Sequence, residues 1–297
     1  MNIFYPFVWI LDLCQWTPFD SNPVDCFFKG LVGACGVSVL YNLMRVYNFI
    51  LASAVQFWFL TGVLSLVGCR VSSLIVLEFS LRAVSAMASD GGSRGLELLL
   101  IQSQFSLGCS LTCTLAFIHQ GALHSSFGLL LAAALSWAFA SYSSGLWRHV
   151  ARLFPLHRTD GYCGKCISLL TSGHTMLASL QRVVILAFGT AAVASSTTVY
   201  EHFLSQKDAM KFWTLLTLCY TMLVAYNQEE QHRLSITETL LRTVVLRLGG
   251  LLVLMLAVGN WTDVLHILIA FLGEGVCLLP SEDLLQAALK VLPVLDC

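Results

Sequence analysis

Residues 248–279 read LGGLLVLMLAVGNWTDVLHILIAFLGEGVCLL. A helix that crosses a hydrocarbon layer of about 30 Å needs about 20 mainly apolar residues, so this run is too long for one passage. Its middle, Gly259-Asn260-Trp261-Thr262-Asp263, carries turn formers and the first polar side chains of the run. The stretch therefore reads as two membrane helices joined by a minimal turn. Helices are the expected form because lipid offers no partner to an unpaired backbone N–H or C=O.

The whole chain agrees with that reading. Of its 297 residues 57% are hydrophobic and 11% charged, and the mean hydropathy is +0.77. Soluble domains carry about 25% charged residues, so the chain lacks the charge to cover a water-facing surface. A net charge of −1 and a pI near 6.7 leave no basic face for phosphate, which excludes nucleic acid as a partner. Six prolines and no glycine period argue against a disordered or fibrous chain. The expected fold is all-α, a multi-pass transmembrane helix bundle of seven or eight spans whose main partner is the lipid bilayer.

Apolar windows place the spans near 28–50, 54–77, 96–118, 126–147, 182–200, 210–226, 241–259 and 262–280. The second is ambiguous, since helical pattern continues from Ala54 to about Met87, as one tilted helix or as a span with an interfacial piece. Three regions follow: an aromatic N-terminal segment at 1–27, the bundle at 28–280 and a short tail at 281–297. Phe4, Tyr5, Phe7, Trp9, Trp16 and Phe19 suit the first to the headgroup level, and no cleavable leader is expected there.

Positive residues remain on the cytosolic side of short loops. With eight alternating crossings, Lys29, Arg82, Arg94, Arg148, Arg152, Arg158, Lys165, Arg233, Arg242 and Lys290 share one side, and Arg45, Lys207 and Lys211 the other. That distribution predicts both termini in the cytosol.

Charges inside a span are costly, so each is a functional candidate until a partner is named. The intramembrane set is Arg70, Asp263, His266 and Glu274. At about 1.5 Å per residue, Arg70 lies about 6 Å and Glu274 about 4.5 Å past the centres of their spans, both toward the cytosolic half, which predicts a shared depth, either as an Arg70–Glu274 pair or with each charge reaching toward an interface along its own helix. Asp263 sits in the first turn of its helix, where a carboxylate meets unpaired N–H groups. The spacing of eleven puts Asp263 and Glu274 on one face, with His266 turned about 60° away, so a proton path is a further reading. Glu78 and Arg82, spaced four apart, join Arg94 and Glu97 beyond the Ser89–Ser93 loop in an expected interfacial salt-bridge group.

The stretch from Arg148 to His174 is the most polar in the chain, and it carries Cys163-Gly164-Lys165-Cys166. Two cysteines separated by two residues form half of a zinc site, which His157 or His174 could complete, or a redox pair. A plain glycine-bearing turn beside basic residues is the simpler reading, so no metal and no cofactor are expected. The remaining cysteines within spans read as small packing residues. Asn260-Trp261-Thr262 fits a glycosylation sequon but lies too close to the membrane to be modified. Gly30, Gly33, Ala34 and Gly36, with Gly249-Gly250, make small-residue helix faces suited to packing within the bundle or to homo- or hetero-oligomers. No phosphate loop, His-Glu-x-x-His helix or nucleophile elbow is present, which speaks against an enzyme.

Several strings carry a resemblance. LVGCRVSSLIVLEFSLRAVS (66–85), FSLGCSLTC (105–113), GYCGKC (161–166), AMKFWTLLTLCYTMLVAYNQEEQ (209–231) and RLGGLLVLMLAVGNW (247–261) are similar, in the same order, to the transmembrane protein 82 family. Arg70, Glu78, Arg82, Cys163, Cys166, Glu229 and Glu230 fall in those motifs. The resemblance departs at the first inter-span link, Asn48 to Gln56, which is uncharged here and longer and charged in the family. It implies a multi-pass membrane protein and no particular activity. The function expected is therefore a non-enzymatic structural or partner-binding bundle. The alternative is a transporter or channel for a small solute using Arg70 and Glu274, and a third reading is a metal or redox protein centred on Cys163 and Cys166.

Overall fold

The computed structural model describes residues 23–48, 57–89, 100, 102–119, 125–160, 164–203, 214, 236–258 and 261–278. Within them are seven helices and no strand: α1 Pro23–Asn48, α2 Phe57–Ser89, α3 Gln104–Ile118, α4 Ser125–Asp160, α5 Gly164–Phe203, α6 Ile236–Val258 and α7 Trp261–Leu278. Pro23 opens α1, where its missing N–H costs nothing, and Asp25 follows in the first turn. Five helices are long and apolar enough to cross a membrane, and α3 and the Val244–Leu256 part of α6 are shorter apolar helices. The protein is an all-helical, multi-pass integral membrane bundle.

Polarity is inverted relative to a soluble protein. Phe139 and Leu186 are about two-thirds exposed or more, and Leu130, Leu135 and Val193 join them on the outer faces of α4 and α5. Glu78, Arg247, Asp263 and Glu274 are each buried to 6% exposure or less. Apolar side chains meet lipid, while ions are kept inside where they can be paired.

The long apolar pattern from Ala54 to Met87 becomes a single element, α2, with one non-helical residue, Gly68, at φ 73° and ψ 165°. Only glycine occupies that region readily, because any Cβ there meets the backbone. The effect is a reversal, not a gentle bend. Up to Gly68 the helix runs along α3 in the same direction: Leu64 closes on Gly108, where a Cβ would sit 2.9 Å from its Cδ1. Beyond Gly68 it runs the opposite way, with Cys113 Sγ 3.6 Å from the Cys69 carbonyl and Arg82 donating to Gln102 at 2.9 Å. Helix α7 gives the same picture. Val63 packs on Gly273, Gly68 faces the His266 ring and Arg70 reaches Asp263, yet Glu78 returns to the level of Glu274 through Arg247. Thus α2 is a V, with arms Phe57–Val67 and Cys69–Ser89 and its apex at Gly68.

This corrects the expected alternation of eight crossings. A helix that doubles back leaves the direction of the chain unchanged, so α1 and α4 are expected to run parallel. They do: Ser126 donates to Asp25 at 3.0 Å, Asn42 to Ser143 at 3.3 Å, and the Arg45 guanidinium lies 4.2 Å above the Trp147 ring. Alternating eight-span order would have made first and fourth helices antiparallel.

A second correction concerns the polar stretch from Arg148 to His174. It is helical on both sides of residues 161–163, since α4 continues to Asp160 and α5 begins at Gly164. Arg, Leu, His and Ala favour helix or tolerate it, so the helices run on past their apolar windows, Ser126–Val150 and Ala178–Thr197. Residues 1–22, the candidate span at 210–226 apart from residue 214, Arg94, Glu97, Cys163, Asn260 and the tail lie outside the described residues, as do the side chains of His157, Cys166 and His174.

Candidate functional site

Two charged layers stand about 16 Å apart along α7, as the spacing of eleven from Asp263 to Glu274 requires. The first is at the apex of the V. Arg70 Nη2 lies 3.0 Å from Asp263 Oδ2, with Asp263 buried and the Arg70 side chain 34% exposed. His266, one turn along α7, covers the backbone at Gly68: a Cβ built there would lie 3.7 Å from ring atoms Nδ1 and Cε1. The Cys69 carbonyl beside the apex accepts from Ser73 Oγ at 2.8 Å and from Cys113 Sγ.

The second layer is wholly internal. Arg247 of α6 sits between two carboxylates, with Nε 2.8 Å from Glu78 Oε2 and Nη2 3.2 Å from Glu274 Oε2. Arg82 adds a contact to Glu78 at 3.8 Å, stacks 5.0 Å over the Phe79 ring and donates to Gln102. Two arginines and two glutamates sum to zero charge. The Glu78 and Arg247 contacts are close ion pairs lacking in-line hydrogen-bond geometry. Charge neutrality, more than hydrogen bonding, makes the burial tolerable.

The expected Arg70–Glu274 pair is replaced by Arg70–Asp263 and Arg247–Glu274. A straight α2 would bring Arg70 to the depth of Glu274, and the reversal at Gly68 moves it to the other end of α7. The Glu78–Arg82 pair forms, with both residues buried to 7% exposure or less, and Glu78 also serves Arg247. Asp263, read as an N-terminal capping carboxylate, is the partner of a cation from another helix. Asp263 and Glu274 do share a face of α7, each held by its own arginine. Arg247 was missed although its signal was available: it lies about 4.5 Å from the centre of the apolar window 241–259, as deep as Glu274.

Nothing in either layer joins a nucleophile to a base. Among the described residues no group of three His, Cys, Asp or Glu side chains gathers to hold a metal ion. The glycines of α1 pack inward. A Cβ on Gly33 would come within 2.8 Å of the Gly108 carbonyl, so α1 and α3 touch backbone to backbone. Gly249 faces open space instead.

No solved structure matches the chain. A family model described as transmembrane protein 82 matches residues 24–54 and 50–293, which is most of its length. The match takes in the V of α2, both charged layers and the strings that carry the resemblance, and the chain belongs to the transmembrane protein 82 family.

Proposed function

We propose that the protein is a non-enzymatic membrane bundle whose interior charges fix how its helices pack and thereby shape the surface offered to partners. The carrying observation is Arg247 between Glu78 and Glu274, which with Arg82 makes a neutral knot of three helices with no solvent-exposed member. A transport site needs charges that a solute can reach, and this layer offers none. The test is reconstitution into liposomes loaded with ion and pH reporters. Flux equal to that of empty liposomes supports the reading, and flux abolished by Glu274→Gln ends it.

A second reading, a transporter or channel for a small solute, is favoured by the apex of the V. Broken helices with charges at the break are a common way to build a membrane ion site. Arg70 is the most accessible charge of the two layers, at 34% side-chain exposure. Under this reading the working residues are Arg70, Asp263 and His266, and Arg70→Gln is the variant that removes flux.

The fold-back also supports a revised orientation. If α1, α3, α4, α5, the 210–226 segment, α6 and α7 cross while α2 enters and leaves on one side, Arg45 and Lys29 exchange sides in the positive-charge comparison. The C-terminus is then cytosolic and the N-terminus is on the opposite face. Protease protection of tags at each end in sealed microsomes tests this, and two tags digested together would contradict it.

A further inference from the structure

We propose that the cavity between the second arm of α2 and α5 holds one acyl chain of an anionic phospholipid, with the headgroup drawn to Arg182. The cavity measures about 280 Å³ and is walled by Phe79, Leu100, Val184 and Phe188, with Val84 and Ile185 at its rim. Its two hydroxyls are committed elsewhere. Ser80 donates to the Val76 carbonyl at 2.7 Å and Ser103 to the Leu100 carbonyl at 2.7 Å, so apart from the Gln181 amide at one end the wall is apolar. Val84 and Ile185 are 67% and 51% exposed, which opens the cavity to lipid. Along α5 the lining extends from Gln181 to Ala192, about 16 Å, which is half of a hydrocarbon layer of about 30 Å. That is the depth of one leaflet, and so of one chain.

The choice of headgroup rests on charge. Arg182 is exposed and has no carboxylate within ion-pair reach among the described residues. On the helix it lies about 20° from Gly189, a lining residue whose missing side chain leaves the rim open on that side. An arginine four residues inside the apolar window Ala178–Thr197 extends toward the headgroups, and its counter-charge there is a phosphate or carboxylate. On the orientation proposed above the mouth faces the cytosolic leaflet, the one enriched in anionic lipid. The pairing itself does not depend on that orientation.

The test is native mass spectrometry of the purified full chain in detergent, titrated with equal amounts of phosphatidylserine and phosphatidylcholine of the same chains. The wild type should retain one phosphatidylserine with about fivefold preference, the worth of one arginine near anionic lipid. Arg182→Gln, a change on an exposed side chain, should bring the ratio to about one, while Gly189→Leu, which fills the cavity, should lose both lipids. Equal retention by the wild type, an unchanged ratio in Arg182→Gln, or full retention in a Gly189→Leu protein with wild-type circular dichroism would each overturn the proposal. Liposome flux and tag protection leave these ratios untouched, so failure of the functional or topological reading is distinguishable from failure here.

Discussion

Val63 and Glu78 are fifteen residues apart on α2, yet both come to α7 at one level: Val63 packs on Gly273, and Glu78 shares Arg247 with Glu274. A straight helix would separate them by about 22 Å. The fold-back brings a buried carboxylate to a buried arginine and closes the interior of the bundle around a neutral cluster.

Removing Arg247 should be the most damaging single change in the interior. Arg247→Met leaves Glu78 and Glu274 facing one another without their shared cation, and breaking a buried pair costs about 3–5 kcal/mol. Adding Glu274→Gln to Arg247→Met should recover most of that loss, because Glu78 and Arg82 then remain as a neutral pair. Thermal unfolding of the three proteins in one detergent checks this. A double variant no more stable than Arg247→Met would show that the charges are not the cause.

Arg70 and Asp263 should behave as an exchangeable pair. Arg70→Asp and Asp263→Arg alone each put like charges on the two sides of this contact, while the double swap restores attraction. Because the arginine is 34% exposed, solvent screens the pair, and the single changes should cost about 1–2 kcal/mol. Recovery of the melting temperature in the double variant is the readout.

Gly68→Ala should be costly although its surroundings have room. The nearest atoms to a new Cβ are those of His266, at 3.7 Å, an ordinary contact. The cost comes from the backbone, since φ 73° and ψ 165° suit glycine almost exclusively, and should be about 1–3 kcal/mol. Gly62→Ala, which meets nothing within 4 Å on the same helix, is the control and should be nearly neutral.

Gly273→Val tests the packing of the V against α7. Its side chain would drive into the Phe105 ring and Val63, and overpacking of this kind costs about 1–3 kcal/mol or more. Gly275→Val on the same helix faces open space and should leave stability unchanged in the same melting assay.

These particular residues also show what the sequence disclosed. Apolar windows of about 20 residues announced the helices α1, α4 and α5, because the hydrocarbon layer fixes their length. The pause at 259–263 announced the α6–α7 hairpin for the same reason. Depth along a span identified Arg70 and Glu274 as costly charges, but depth carries no direction once a helix reverses, so their partners were assigned wrongly. Gly68 is one of 21 glycines, and nothing in its neighbours separates a reversing glycine from a packing glycine such as Gly108. Arg182 and Arg247 were legible as charges within apolar windows, and only three-dimensional placement tells the lipid-facing one from the buried one.

The fold-back of α2 can be measured most directly by sidedness. Single cysteines placed at Ser53 and Ser93, before and after α2, are probed with a charged maleimide in sealed vesicles of known orientation. Labelling of both from one side, with neither reached from the other, is the expected result. Labelling of Ser53 and Ser93 from opposite sides would mean that α2 crosses the membrane and would contradict the V, the parallel α1 and α4 that it explains, and the revised orientation together.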